Sequence, residues 1–418
     1  MTDPEAQPRE LETFVVQLGA ALNGSGVPVN VVEARLRRVA AAYGATDARI
    51  SAFPTSLLVT MGLGTSATLE LTTQLSGVPR LDQTAAVDRL VATAERGEVA
   101  PTEGLRQLGE IRRLPHRFHA VVQLLGYSVM TVGLCLILDP SGKDVAVAAV
   151  LGVLVGVLRL IAQRDRALQV LIPVLAAFAV SSVSALAIQA SAAAPGLRAM
   201  IAALVIFLPG AALTTAVWEL TEGQMIAGSS RLVWAGVQLT LLAFGILAGV
   251  EAVGISTAEA FIGSPALLGA WAPWVGVLLF AVGVAITHSA PPKSFLALLI
   301  VLYTAWVGQF LGGLIFGGLV SGMVGALVMT PAAYLLARTR IGMPAFAMFL
   351  PGFWLLVPGA LSLIGVTGRA SDAASAVSDS TGAAAASVVG VVLGVLCGSV
   401  LLQWISAGAR RVTAARQT

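Results

Sequence analysis

"FLPG" runs from Phe207 to Gly210 inside an apolar stretch, and the same four letters return from Phe349 to Gly352, 142 positions on. Proline lacks a backbone N–H and its ring clashes with the preceding turn, so within a helix it breaks or kinks the chain. Composition shows what kind of helix is interrupted. Of 418 residues, 57% are hydrophobic and 11% charged, where a soluble chain has roughly a quarter charged. That balance specifies a polytopic membrane protein. After Pro115 come ten apolar stretches, at 119–138, 145–162, 168–190, 198–217, 231–250, 271–289, 294–311, 314–337, 344–366 and 382–406. Each is long enough to cross a ~30 Å hydrocarbon core. The first FLPG falls in the fourth stretch and the second in the ninth, so each is the fourth member of a set of five.

Five is odd, so a set of five spans inserted twice in succession points opposite ways across the bilayer. The expected fold is an α-helical polytopic membrane protein of ten transmembrane helices in a 5+5 inverted repeat. Glycines four apart accompany the pairing: Gly152 and Gly156 with Gly308 and Gly312, and Gly245 and Gly249 with Gly390, Gly394 and Gly398. Small residues at this spacing let helices approach closely. Inverted repeats with interrupted helices at corresponding positions are the pattern of secondary transporters. A broken helix exposes backbone N–H groups and a positive end that hold an anionic group such as a carboxylate. The candidate substrate site is therefore Pro209, Gly210, Pro351 and Gly352, with Pro358 and Gly359 of the "VPG" that follows. The structural alternative is a proline kink buried in protein, which membrane helices tolerate.

Residues 1–117 are not membrane-like. "LETFVVQLGAALNGSG" and "VPVNVVEARLRRVAAAYG" carry apolar residues at helical spacing and stop at glycines. "ARISAFPTSLLVTMG" and "TSATLELTTQ" read as strands, and 81–99 and 101–115 as two more helices. A small cytoplasmic α/β domain results, followed by a first membrane half (118–250), an extracytoplasmic connection (251–269), a second half (270–408) and a tail (409–418). No basic, apolar leader opens the chain, so no signal peptide is expected.

Basic residues fix the orientation. With the N-terminal domain inside, inside connections and tail carry ten Lys or Arg, among them Arg159, Arg231, Lys293, Arg338 and Arg340, and the outside connections three. Both termini are expected in the cytoplasm. The net charge of +3 is too small to suggest nucleic acid. The two cysteines, Cys135 and Cys397, lie in apolar runs and read as small buried hydrophobes, without disulfide or metal-ligand spacing.

These features meet in a resemblance to the threonine/serine exporter family. It is carried by "LGAALNGSGVPVNVVEARLRRVAAAYG" and "PTSLLVT" in the N-terminal domain, "LPGAALTTAVWELTEGQMIAGSSRL" in the first membrane half and "PGFWLLVPGALSLIGV" in the second. The resemblance implies a multi-pass protein of a bacterial cell membrane, with a soluble domain and ten spans in two related halves. It implies proton-driven export of threonine and serine, with the substrate, protons and the lipid bilayer as partners and no cofactor. Some relatives keep the halves as separate subunits linked to dicarboxylate export, so a succinate-type exporter is the alternative; a homo-oligomer is left open.

In the fourth stretch, Thr214 and Thr215 follow Pro209 and offer hydroxyls to a substrate, or bond their own i−4 carbonyls. Glu219 and Glu222 are three apart and share a face if the helix continues. Either they couple to protons and meet the substrate's ammonium, or they are interfacial carboxylates in a solvated loop. Arg159 reads as snorkelling to the headgroups, and His288 as an interfacial histidine. No Gly-x-Ser-x-Gly, His-Glu-x-x-His or Walker A pattern is present, and an enzyme is not expected.

Overall fold

The structure is a computed structural model, and it describes residues 6–61, 68–71, 80–138, 140–163, 165–190, 197–255, 268–356 and 386–404. The chain forms two compact units, one of Met1–Arg117 with Thr215–Val233, the other of Phe118–Thr214 with Trp234–Thr418. Sequence reading keeps 215–233 with the spans that flank them; in the structure they group with the N-terminal residues.

In the N-terminal unit, helices α1 (Ala6–Gly24) and α2 (Val29–Ala42) precede a three-stranded antiparallel sheet, β1 (Arg49–Phe53), β2 (Ser56–Thr60) and β3 (Thr68–Leu71), in the order β1-β2-β3. Helices α3 (Leu81–Ala94) and α4 (Pro101–Arg113) follow. The stretch read as one strand, 48–62, is a hairpin. Phe53 pairs with Ser56, leaving Pro54 and Thr55 at the turn, where proline's fixed φ is an asset and its missing donor costs nothing. Ile50, Ala52, Leu57 and Val59 alternate inward, while Leu58 points out. They join Phe14, Leu18 and Leu22 of α1 and Val32, Leu36 and Val39 of α2, all essentially inaccessible to solvent. Arg35 bonds Asp88 and Glu95, which ties α2 to the end of α3.

The second unit holds α5 (Ala120–Ile137), α6 (Gly142–Ala162), α7 (Arg166–Ala190), α8 (Leu197–Leu204) with a 3-10 turn at Val205–Phe207, α11 (Ala272–Thr287), α12 (Phe295–Phe316), α13 (Gly318–Ala337), α14 (Ala345–Leu356) and α15 (Ala386–Trp404). Helices α9 (Gly210–Thr221) and α10 (Met225–Val253) belong partly to each unit. Among the described residues seven helices are long and apolar enough to cross a membrane. The pair Arg198–Phe207 and Gly210–Thr221, bent by 57°, is apolar and long enough to count as an eighth if the two pieces form one span. The stretches expected at 271–289 and 344–366 contain shorter apolar helices, Ala272–Thr287 and Ala345–Leu356. Trp234, Phe244, Phe310, Leu314, Ile315 and Trp404 are more than half or about half exposed, as lipid-facing side chains are. The chain is a multi-pass α-helical membrane protein. Cys135 is buried as expected, whereas Cys397 is exposed on α15.

Two sets of helix contacts repeat along the chain. Helices α5 and α11 run antiparallel in close contact, and the contact is reciprocal. Gly133 lies against the backbone of Phe280, and Gly283 lies against that of Met130; Gly126 meets Ile286 and Thr287, and Gly276 meets Leu136 and Ile137. Partners in the two helices stand 150 positions apart, Gly126 with Gly276 and Gly133 with Gly283. The second set joins α10 to α7 and α15 to α13. Gly245 abuts Val174 O, Ala177 Cβ and Phe178 N, and Gly394 abuts Met323 O, Ala326 Cβ and Leu327 N. Every atom in the first list has its equivalent 149 positions later in the second. Gly249 and Gly398 continue the match against Phe178 O and Ser181, and Leu327 O and Thr330. Gly152 and Gly308 do not follow this register. Gly152 packs on α5 at Tyr127 and Ser128, and Gly308 on α13 at Val324 and Val328.

Candidate functional site

The first FLPG interrupts its helix. The 3-10 turn ends at Phe207, Leu208 takes an extended ψ of 128°, and α9 begins at Gly210. Leu213 N–H makes the first bond of the new helix, to the Pro209 carbonyl at 2.8 Å, so the N–H groups of Gly210, Ala211 and Ala212 precede the ladder. Pro209 and Gly210 are buried. The break leaves backbone donors at a positive helix end inside the protein.

The second FLPG is different. Pro351 lies within α14, which continues to Leu356. Phe346 and Tyr334 both meet Phe349 edge-on, and Phe353 lies tilted against it. Packing of this ring cluster, with Gly352 closed over by the Met329 thioether, holds a continuous helix across the proline. The two identical tetrapeptides therefore have unlike conformations. Pro358 and Gly359 lie outside the described residues.

Thr214 is buried, and its hydroxyl donates to the Gly210 carbonyl at 2.9 Å, the local bond that threonine makes in helices. Its oxygen lone pairs remain acceptors. Thr215 is half-buried.

Glu219 is not in a solvated loop. Its side chain is fully buried, held by Arg231 Nε at 3.2 and 3.0 Å from its two oxygens and by the Val29 N–H at 3.0 Å. The carboxylate thus serves as the N-terminal cap of α2, whose N-cap position is Pro28 and offers no side-chain oxygen. Arg231 is nine-tenths buried and its Nη2 has no hydrogen-bond partner among the described residues. Glu222 is exposed. Sequence reasoning missed the Val29 contact because 190 positions separate the partners.

Two more polar groups have specific neighbours. His288 is buried, with Nδ1 2.9 Å from the Thr287 hydroxyl and its ring 5.3 Å from that of Trp354. Arg159, expected at the headgroups, has its guanidinium carbon 5.8 Å from the centre of the Tyr127 ring and 5.7 Å from that of Phe207. Phe207 is the first residue of the broken FLPG. No group of His, Cys, Asp and Glu among the described residues is arranged to hold a metal ion.

The broken, buried helix end at Pro209 and the Glu219 cap on α2 both fall within the first 253 residues. The family named for threonine/serine export matches residues 13–253, from α1 through both features to the end of α10. The chain belongs to the threonine/serine exporter family. The matched stretch covers the N-terminal residues and the first five apolar stretches; the resemblance read at 351–366 lies beyond it. No curated protein and no solved structure matches the chain. As a member of the threonine/serine exporters it is a membrane transporter.

Proposed function

We propose that this threonine/serine exporter family member moves threonine and serine out of the cell by proton antiport, with the substrate carboxylate received at the break between Phe207 and Gly210. The break is the observation that carries the reading. A zwitterion is costly to desolvate, and the N–H groups of Gly210, Ala211 and Ala212 meet a carboxylate without first having to be freed from a helix. Thr214, one turn further on, keeps an acceptor for the substrate hydroxyl, and Thr215 is its neighbour on the same helix.

Glu219 is the better placed of the two acidic candidates for coupling to protons, since Glu222 is exposed. Protonation of Glu219 removes the charge that holds Arg231 and caps α2, so proton binding would loosen both contacts in one step. The second half supplies the other helix end in this proposal. The reciprocal α5–α11 contact and the atom-by-atom match of α10–α7 with α15–α13 support an inverted 5+5 repeat in a register of 149–150 positions. In that register the counterpart of Pro209 and Gly210 is Pro358 and Gly359, while Pro351 and Gly352 fall within the helix before it.

Uptake of labelled threonine, serine and succinate into inside-out vesicles, with and without a pH gradient, tests the reading. Gradient-dependent accumulation of threonine and serine is expected. Succinate uptake in place of theirs would replace it with the dicarboxylate alternative, and normal gradient-driven export by Glu219→Gln would remove that residue from the coupling.

A further inference from the structure

We infer that Arg159 is the carboxylate-recognition residue of the transport site and restricts it to substrates with one carboxylate, an inference that rests on the export function proposed above. Arg159 lies in the last turn of α6, where a snorkelling side chain would run outward. Helical side chains lean toward the N-terminus of their own helix, and this one does so, ending between two rings. Tyr127 is the eighth residue of α5, so the guanidinium sits ~10 Å along that helix from its first residue. Phe207 on the other side places it directly beside the break. The Nη1 atom is buried and has no hydrogen-bond partner, and Arg159 has no ion-pair partner among the described residues.

The aromatic faces compensate a cation only in part. A half-buried guanidinium with one buried, unbonded N–H group and no anion beside it is a costly arrangement, and inside a membrane protein it marks a substrate path. What it lacks is a planar, two-oxygen anion, which its fork of donors fits in two parallel bonds. The repeat register then limits the charge of the ligand. Position 309, 150 beyond Arg159, is Gln309, and its Nε2 donates at 3.3 Å to the carbonyl of Leu356, the last residue of α14 and 149 beyond Phe207. Each half of the proposed repeat thus brings a polar side chain to Phe207 or to its counterpart Leu356, but only the first half brings a charge. One fixed cation with a neutral counterpart suits an amino acid and leaves the second carboxylate of a dicarboxylate unpaired.

The test uses the full chain in proteoliposomes, as wild type and as Arg159→Gln, Arg159→Lys and Arg159→Met, with threonine amide as a competitor that lacks the carboxylate. Wild type is expected to prefer threonine to its amide by about tenfold or more, and Arg159→Gln to raise the threonine KM by about the same factor and lose the preference. Arg159→Lys keeps the charge without the fork and falls between them. Thermal unfolding in detergent supplies a readout that needs no transport. Arg159→Met should melt above wild type, because a cation with a buried, unbonded N–H group is gone, and threonine should raise the melting temperature of wild type but not of Arg159→Gln. An unchanged threonine KM and amide preference in Arg159→Gln would overturn the inference while leaving the exporter intact. So would a melting temperature lowered by Arg159→Met, which would mark a structural role. If wild type carries none of threonine, serine and succinate, the export function falls on that result. Arg159 is then judged by the melting measurements alone, and a threonine-induced shift shared by wild type and Arg159→Gln rejects it.

Discussion

Glu219 joins three partners that a linear reading keeps apart: its own helix, the start of α10 through Arg231, and the first turn of α2 through Val29. Removing one member of a buried pair strands the other's charge, at a cost of about 3–5 kcal/mol. Glu219→Gln should therefore lower unfolding stability by roughly that amount even though its amide oxygen still accepts from Val29. Combining Glu219→Leu with Arg231→Met should recover most of the loss, because no charge is left unpaired. A thermal or denaturant double-mutant cycle measures this, and strictly additive losses would show that the pair is not coupled. The sequence revealed Glu219 as a carboxylate near a span end and no more. Hydropathy and helix periodicity register position along the chain, whereas the Val29 contact arises from folding over 190 positions. Arg159 escaped for a related reason. Its place near a helix end suits snorkelling, and only the leaning of the side chain toward Tyr127 and Phe207 separates the two outcomes.

Among elements, the interrupted α8–α9 helix was legible because proline acts locally. Pro351 has the same three neighbours in sequence but a ring cluster around it, and tertiary packing prevails over propensity. Pro209→Ala should favour a continuous helix and reduce transport by about tenfold or more through loss of the oriented donors, with membrane insertion retained. Pro351→Ala should have the smaller effect on transport, and the reverse ranking would return the site to the FLPG pair. The close contacts of α10 predict a second contrast. Gly249 has no room for a side chain against Phe178 and Ser181, whereas Gly236 of the same helix faces open space. Gly249→Leu should destabilise by about 3 kcal/mol or more through overpacking, and Gly236→Leu should be near neutral in thermal unfolding. Span order suggested the proposed repeat in outline, but not the register that the glycine contacts favour. An identical tetrapeptide suggested a spacing of 142, while the contacts of Gly245 and Gly394 follow 149, because backbone approach constrains position more tightly than a four-letter match.

For the whole molecule, the orientation proposed from the basic residues puts residue 340 inside and residue 372, which lies outside the described residues, on the far side. Arg340→Cys should react with an impermeant thiol reagent only in inside-out vesicles, and Asp372→Cys only in intact cells. The opposite pattern at both would invert the proposed topology. The α5–α11 seam has a larger consequence. A contact in which each side presents the same surface to the other is the geometry of a twofold homodimer, here enclosed in one polypeptide. Such a seam needs no covalent tether to find its register, since Gly126, Gly133, Gly276 and Gly283 specify it by fit alone. A chain severed between residues 256 and 267 and expressed as two pieces should thus reassemble in the membrane, and leucine at Gly133 should abolish that reassembly. The linker would then serve stoichiometry, keeping the two pieces in equal number, and each piece would be free to carry its own chemistry, Arg159 in one and Gln309 in the other, while the surface that joins them stays fixed.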